Sequence, residues 1–465
     1  MTRADSPLNT GGTSDRGREK MGVEECGYPR VLIIAKSPIS ERDSTGASLG
    51  KWFGQWPKKQ MAYLYSALTC EGPDFCPEMY RFGGGERRLG GLFERLRRSE
   101  LASSAGRAAA SPVQAAGRAS ERDSTLRTRM GRLLVESGLW EVMFSPRLSQ
   151  ALLSWVTSFR PEVIYAQIPD LTFLRIPVLL HRQLGIPVCM QVSDDWPGQM
   201  YRRSVARFAM RPLVTREFHE LTRVASAHLG VSQTMEREYR RRYGVHFEPL
   251  MLCDSGERFR RAKPQRIVGD DVFSFVYCGN LGHDRWRALR DAARAVQELS
   301  VSGVKAHVSA FVSHLPVEAM SALDRMPALT FHPAPRDAEV PAVLKGADAL
   351  LLLEGFSQES QAYARLSLSS KAHLYMMSER PTLVYGPAGL GVVEYAQGEQ
   401  WGLVVDQDDG AALQNALRRF VLDAALRDRL VARGRAVAAA NHEESVVREH
   451  LRRILAAAAR TACRA

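Results

Sequence analysis

Short unbroken apolar runs recur along the chain, and they rarely alternate with polar residues. The clearest are residues 30–35 (RVLIIA), 161–166 (PEVIYA), 186–192 (IPVCMQV), 272–278 (VFSFVYC) and 347–353 (ADALLLL). A run without alternation marks a strand covered on both faces, as in a parallel sheet. Residues 133–159, 171–184, 200–222 and 235–243 read as helices between the first strands, with Gly185 and Gly244 as C-terminal stops. Strand and helix alternate in this way over residues 28–250. After a polar stretch at 256–270 the pattern restarts, with strands at 272–278, 306–311, 329–331, 347–353, 382–385 and 402–405. This predicts an α/β chain of two doubly wound parallel-sheet, Rossmann-like domains, at 28–250 and 251–440, then a terminal helix and tail at 441–465. Residues 1–27 are polar and Gly-rich, without the apolar core of a signal peptide, and are expected to be a disordered tail.

Charge changes this picture at one place. The chain of 465 residues carries a formal net charge of +12. From residue 86 to 132 there are eleven Arg against five acidic residues, so this stretch holds half of the excess. Residues 83–132 therefore read as a basic, partly disordered insert in the first domain. It is either a solvated loop or a contact for an anionic membrane face. Its arginines are not interleaved with aromatics, which argues against nucleic acid as a partner. The seven cysteines show no Cys-x-x-Cys spacing, so reduced thiols and no metal site are expected. No apolar run approaches the roughly 18 residues of a membrane span. These features predict a cytoplasmic protein, with a peripheral position at the inner membrane face as the alternative.

Candidate chemistry sits where strands end, since ligands of open parallel sheets bind beyond the carboxyl ends of strands. Residues 366–394 (LSLSSKAHLYMMSERPTLVYGPAGLGVVE) read as turn, helix, strand, loop and helix start. Ser369 and Ser370 supply hydroxyls suited to a helix N-cap, and Lys371 follows in the first turn. That is either an anion seat or a solvated lysine. After the strand at 272–278 come Gly279 and Gly282, which let a backbone approach a ligand, and then Arg285 at a helix start. Arg285 carries a fork suited to pyrophosphate, or is a surface arginine. Asp194 and Asp195 follow the strand at 186–192, either as pocket carboxylates or as an exposed turn. Gly46 lies in the polar loop after the first strand, at or near the next helix start, a candidate acceptor-side loop. Trp52, Phe53 and Trp56 form an aromatic cluster, either core or a sugar-stacking face.

Several segments resemble glycosyltransferase family four, a group of the GT-B architecture. VSQTMEREYRRRYG resembles the family's strand, serine, helix and tyrosine-glycine element. VYCGNLGHDR resembles the glycine turn that opens the donor domain. SLSSKAHLYMMSERPTLVYGP resembles its serine-lysine, helix, basic-proline and strand segment, and GVVEYAQGEQWGLVV the closing stretch. The resemblance spans roughly residues 28–455. It implies two domains facing across a cleft, with a nucleotide-sugar donor held by the second. The acceptor, a polysaccharide, glycolipid or lipid-linked glycan, would lie over the first. By the same resemblance Arg285 and Lys371 would hold the donor pyrophosphate and offset charge on the leaving diphosphate. Glu394 would bind the donor ribose, and Asp194 would lie by the donor sugar. Transfer would be retaining, without a metal or any cofactor besides the donor substrate.

The chain departs from the family at one point. Many members carry two glutamates eight positions apart, and Leu366 and Leu374 stand at those places here. A catalytically inactive donor-binding or scaffold protein is therefore a second expectation, and a nucleotide-sugar epimerase a lesser one.

Overall fold

The computed structural model describes residues 27–37, 39, 44–67, 75–92, 94, 135–323 and 326–462. The expected tail at 1–27, apart from Gly27, and most of the basic insert fall outside the described residues. So do Cys26, Cys70 and Cys463.

Two parallel sheets form the frame. The first runs β3-β2-β1-β4-β5-β6-β7 and the second β10-β9-β8-β11-β12-β13. The strands of the first are β1 (Val31–Ile34), β2 (Met61–Tyr65), β3 (Glu78–Arg81), β4 (Val163–Gln167), β5 (Val188–Gln191), β6 (Ala227–Gly230) and β7 (Glu248–Pro249). Those of the second are β8 (Phe273–Cys278), β9 (Ala306–Val312), β10 (Leu329–Pro333), β11 (Ala349–Leu353), β12 (Thr382–Tyr385) and β13 (Gly402–Val405). Every named pairing is parallel. β1, β4, β5, β11 and β12 are buried along their whole length, which is why their sequences show no alternation. Strand order reverses between β1 and β4 in one sheet and between β8 and β11 in the other. Such switch points open a crevice at the carboxyl ends of the strands.

Local chemistry sets the helix ends. Ser149, Asp170 and Ser232 each accept a hydrogen bond from the backbone N–H three residues on, at 3.0–3.1 Å. Gly185 and Gly244 close their helices at φ +70° and +72°. Two expected helices are shorter than their apolar content suggests. The 133–159 stretch breaks into Leu139–Met143 and Gln150–Phe159, and the helix expected from 200 begins at Arg207. Trp52, Phe53 and Trp56 are core, at most 5% exposed, and Trp52 donates to the Met251 carbonyl at 3.0 Å.

The two halves are sewn together. One hydrophobic core runs from Val231 and Met235 in the first half to Leu366, Ala372 and Val393 in the second. The last helix, Glu444–Ala462, returns to the first half, where Val447, Leu451 and Leu455 join the core of Phe53, Cys189 and Leu229. Asp254, 1% exposed, sits at the crossing. It accepts from Lys51 at 2.6 Å and Arg258 at 2.9 Å, and its backbone N–H donates to the His442 carbonyl at 3.1 Å.

Leu451→Ala should therefore destabilise the protein by about 3 kcal/mol through cavity formation. Leu422→Ala, at a position 64% exposed, should stay within about 0.5 kcal/mol. Differential scanning calorimetry of both variants checks this.

Candidate functional site

The crevice is lined by residues that follow strand ends in both halves. Thr45 and Ser48 come after β1, Asp194 after β5, Arg285 after β8 and Glu354 after β11. Ser370 and Lys371 join them from the helix before β12. They enclose a cavity of 250 Å³. A larger one of 830 Å³ adjoins it and shares His283 and Tyr363 with it.

Arg285 is the first residue of the helix Arg285–Val301 and is 9% exposed. Its Nε donates to Glu354 Oε2 at 2.8 Å and its Nη1 to Asn280 Oδ1 at 3.1 Å. Burial opposes its charge, but Glu354 outweighs that and holds the guanidinium pKa above its usual value. Glu354 follows the ALLLL run of β11 and is 2% exposed. Its backbone N–H donates to the Tyr385 carbonyl at 2.9 Å.

Lys371 lies in the same cavity, its Nζ 5.5 Å from the centroid of the Tyr277 ring. Burial pushes its ammonium down to about 8, with Glu354 opposing and Arg285 adding to the fall. A cation in this range is discharged within ordinary pH. Gly279 makes room for it: a Cβ there would stand 3.0 Å from Lys371 Cδ and 3.2 Å from Nζ. Gly282 serves no comparable approach, since its nearest neighbour is Asn280 Oδ1 at 3.6 Å. Between these glycines and Arg285, His283 and Asp284 adopt φ of +54° and +58°. His283 stacks on Tyr363 with ring centroids 3.8 Å apart, and burial and then Arg285 lower its pKa.

Ser370 is the residue before the helix Lys371–Met377 and lines the cavity, but its hydroxyl caps nothing. Its backbone is already helical, at φ −62° and ψ −10°, which turns the hydroxyl away from the orphan N–H groups. The expected hydroxyl cap is replaced by the Ser369 carbonyl, which accepts from the Ala372 N–H at 3.0 Å.

The remaining candidates separate. Asp194 is exposed in the cavity and accepts from Ser367 of the second half at 2.7 Å. Asp195 is not a pocket group. It is 3% exposed and accepts from Arg242 at 2.8 and 3.0 Å and from Tyr239 at 3.1 Å. The turn Trp196–Gln199 directs it toward the helix Gln233–Tyr243. Gly46 does not belong to a loop: the helix Ser44–Phe53 starts before it, and it is buried there, while Thr45 and Ser48 face the cavity. Residues 38 and 40–43 of that loop lie outside the described residues. Glu394 lies in a separate cavity of 590 Å³. It accepts from Thr234 at 2.8 Å and pairs with Arg237. Val392, two residues earlier on the same helix, faces the 250 Å³ cavity instead, as residues two apart on a helix must diverge.

Leu366 and Leu374 are apolar in setting as well as in type. Leu366 is fully buried in the core that joins the halves, and its carbonyl accepts from Ser232 at 2.9 Å. Leu374 packs against that core. Sequence reading missed Glu354, although it carried the same signal as Asp194, a carboxylate within three residues of the end of a buried strand.

With this geometry in place, solved structures provide a comparison. HepE of Anabaena, in complex with UDP and glucose, matches with a TM-score of 0.59 at 10% identity, covering 92% of this chain and 99% of its own. WaaG, a glycosyltransferase involved in lipopolysaccharide biosynthesis, matches at 0.54 and 10% identity, over 91% of this chain and 99% of its own. The α,α-trehalose 6-phosphate synthase of Burkholderia multivorans matches at 0.59 and 12% identity, over 94% and 100%. No family model and no curated protein matches the sequence.

Asp195→Ala should cost about 2 kcal/mol of stability, because it leaves the buried Tyr239 hydroxyl without its acceptor and leaves Arg242 with Glu238 as its carboxylate partner. Asp194→Ala, at an exposed site, should cost under roughly 1 kcal/mol. Chemical denaturation of the two variants side by side measures the difference. At these identities the likeness speaks for architecture: the chain has the two-domain GT-B fold of glycosyltransferases.

Proposed function

We propose that the protein is a glycosyltransferase that takes a nucleotide-sugar donor into the cleft and passes its sugar to a glycan, glycolipid or lipid-linked acceptor. The observation that carries this reading is the meeting of Arg285 and Lys371 at the switch point of the second sheet. A buried guanidinium and a half-buried ammonium beside the same buried carboxylate form a cationic pair, which suits a diphosphate. Arg285 and Lys371 bind the pyrophosphate and stabilise charge as the nucleoside diphosphate leaves. Asp194, on the facing wall, orients the transferred sugar or its acceptor. Transfer proceeds with retention and without a metal, the donor being the only other small molecule required. The UDP and glucose present in HepE support a nucleotide sugar as the class of donor.

A second reading is a donor-binding protein that does not catalyse transfer. The observation favouring it is the burial of Leu366 where many members of the resembled family have a carboxylate. Transfer or donor hydrolysis by the purified protein would exclude it.

A thermal-shift panel of nucleoside diphosphates and nucleotide sugars tests the donor site. One base should stabilise the protein, by roughly 2.7 kcal/mol at a hundredfold excess over its dissociation constant. Arg285→Ala and Lys371→Ala should each weaken that binding by roughly 10- to 100-fold. Because Lys371 titrates at about 8, it is charged below that pH and neutral above it. Affinity should therefore fall as pH rises from 7 to 9. A flat panel with folded protein would refute the donor site.

The acceptor side points to a membrane-proximal substrate. Val205 and Phe208 are 88% and 80% exposed, among Arg202, Arg203 and Arg207. Arg202, Arg203 and Val205 also line the 830 Å³ cavity. Apolar side chains ringed by arginines suit an anionic bilayer. Phe208→Asp should reduce sedimentation with anionic liposomes while leaving nucleotide binding unchanged. Equal sedimentation would refute the membrane contact.

A further inference from the structure

Two carboxylates line the 250 Å³ cavity among the described residues, and they differ in setting. Asp194 is exposed, whereas Glu354 is 2% exposed and faces the cations. We propose that Glu354 is a positioning residue of the anion site, which holds the Arg285 guanidinium by one edge and places a counter-charge in the cavity that Lys371 shares. This rests on reading the cleft as a diphosphate site.

The geometry fixes Glu354 from several sides. Its backbone N–H is tied to β12 through the Tyr385 carbonyl. Gly386, which follows β12, leaves room for its side chain: a Cβ at that position would stand 2.8 Å from Glu354 Cβ. Gly355 performs the matching service on the other flank, where a Cβ would stand 2.2 Å from the His283 carbonyl oxygen. The β8 turn bearing Arg285 can therefore close down on the end of β11. With Nε on Glu354 and Nη1 on Asn280, the guanidinium is locked in its plane. Its Nη2 has no protein acceptor among the described residues, so it remains available to an anion.

The charges around Lys371 explain the second role. Arg285 and His283 face it from the turn after β8, Cys278 and Tyr277 from β8 itself, and Glu354 from the end of β11. Asp194 enters the same cavity from the first half. Burial and Arg285 both favour the neutral amine, and Glu354 is the main group opposing them. Without that carboxylate the site would lose its second cation just where a diphosphate needs it. The same carboxylate repels the diphosphate, so it trades some affinity for a site that stays charged.

These two effects separate in Glu354→Gln. Isothermal titration with inorganic pyrophosphate between pH 5.5 and 9.5, about the range in which the Lys371 amine titrates, should show the wild-type affinity falling above about 8. In Glu354→Gln the fall should begin roughly one pH unit lower or more, while the affinity at the acid end should equal or exceed that of the wild type. Lower affinity at every pH with an unmoved midpoint would mean a merely structural role and overturn the proposal. If the single variant fails to fold, the double variant Glu354→Gln, Arg285→Gln removes the buried pair as a unit. It should still lower the midpoint, since Glu354 weighs more on Lys371 than Arg285 does. An unmoved midpoint there overturns the proposal too. NMR titration of the Lys371 Cε, without ligand, should show the same displacement. If it does while pyrophosphate fails to bind the wild type, the diphosphate reading falls but the charge-setting role of Glu354 stands. If it does not, the role of Glu354 falls, whatever pyrophosphate does.

Discussion

The Arg285–Glu354 pair fastens the end of β8 to the end of β11 across the switch point of the second sheet. Both partners are nearly buried, and such a pair gives little net stability relative to an apolar substitute. What it provides is a defined geometry. The guanidinium cannot rotate while Nε and Nη1 are both engaged. The turn between Gly279 and Arg285 can reach this position because Gly355 leaves space for it, and Glu354 can meet it because Gly386 leaves space for the carboxylate's side chain. Lys371 depends on the pair in turn, because its charge responds to both members. One ion pair thus decides backbone approach, side-chain orientation and protonation in the same cavity.

The wall facing this pair is held by a different kind of force. Arg203 and Glu359 pair across the larger cavity at 2.9 Å, and Ser367 meets Asp194 at 2.7 Å. Both contacts involve exposed groups, and exposed pairs of this kind are worth under about 1 kcal/mol. The relation of the halves rests instead on the apolar core that continues from Met235 to Val393, and on the last helix packed back against the first sheet. Asp254, with Lys51 and Arg258, fixes where the chain crosses. The polar contacts across the crevice can therefore exchange partners at little cost, while the frame behind them does not.

Much of the architecture was legible because parallel strands buried on both faces leave an unmistakable record. The runs at β1, β4, β5, β8 and β11 could be read directly. β3 escaped because it is an edge strand with polar ends (EMYR), and β7 because it has two residues. The break near Phe144 escaped because apolar content continues through it. The site was legible in its types but not in its directions. Asp194 and Asp195 are adjacent and chemically identical. Only Arg242 and Tyr239, far along the chain, decide that Asp195 turns inward. Glu394 was expected to bind the donor ribose, and helical geometry and Arg237 hold it in a cavity separate from that of the cations. Glu354 was hidden by its position at the tip of a run whose leucines dominate the pattern.

Leu366 shows how such reassignments hang together. Its side chain fills the core between the halves and its carbonyl receives the Ser232 hydroxyl, which also caps the helix Gln233–Tyr243. A carboxylate there would be buried in an apolar core with no cation beside it, at a cost of several kcal/mol. The position is therefore committed to joining the domains. Negative charge enters the cavity instead from β11, where Arg285 can neutralise it. The arrangement keeps a carboxylate next to the cation pair while leaving the domain joint dry. A chain built this way holds its cation pair and the carboxylate beside it within the second domain, and the first domain adds Asp194 to the same cavity.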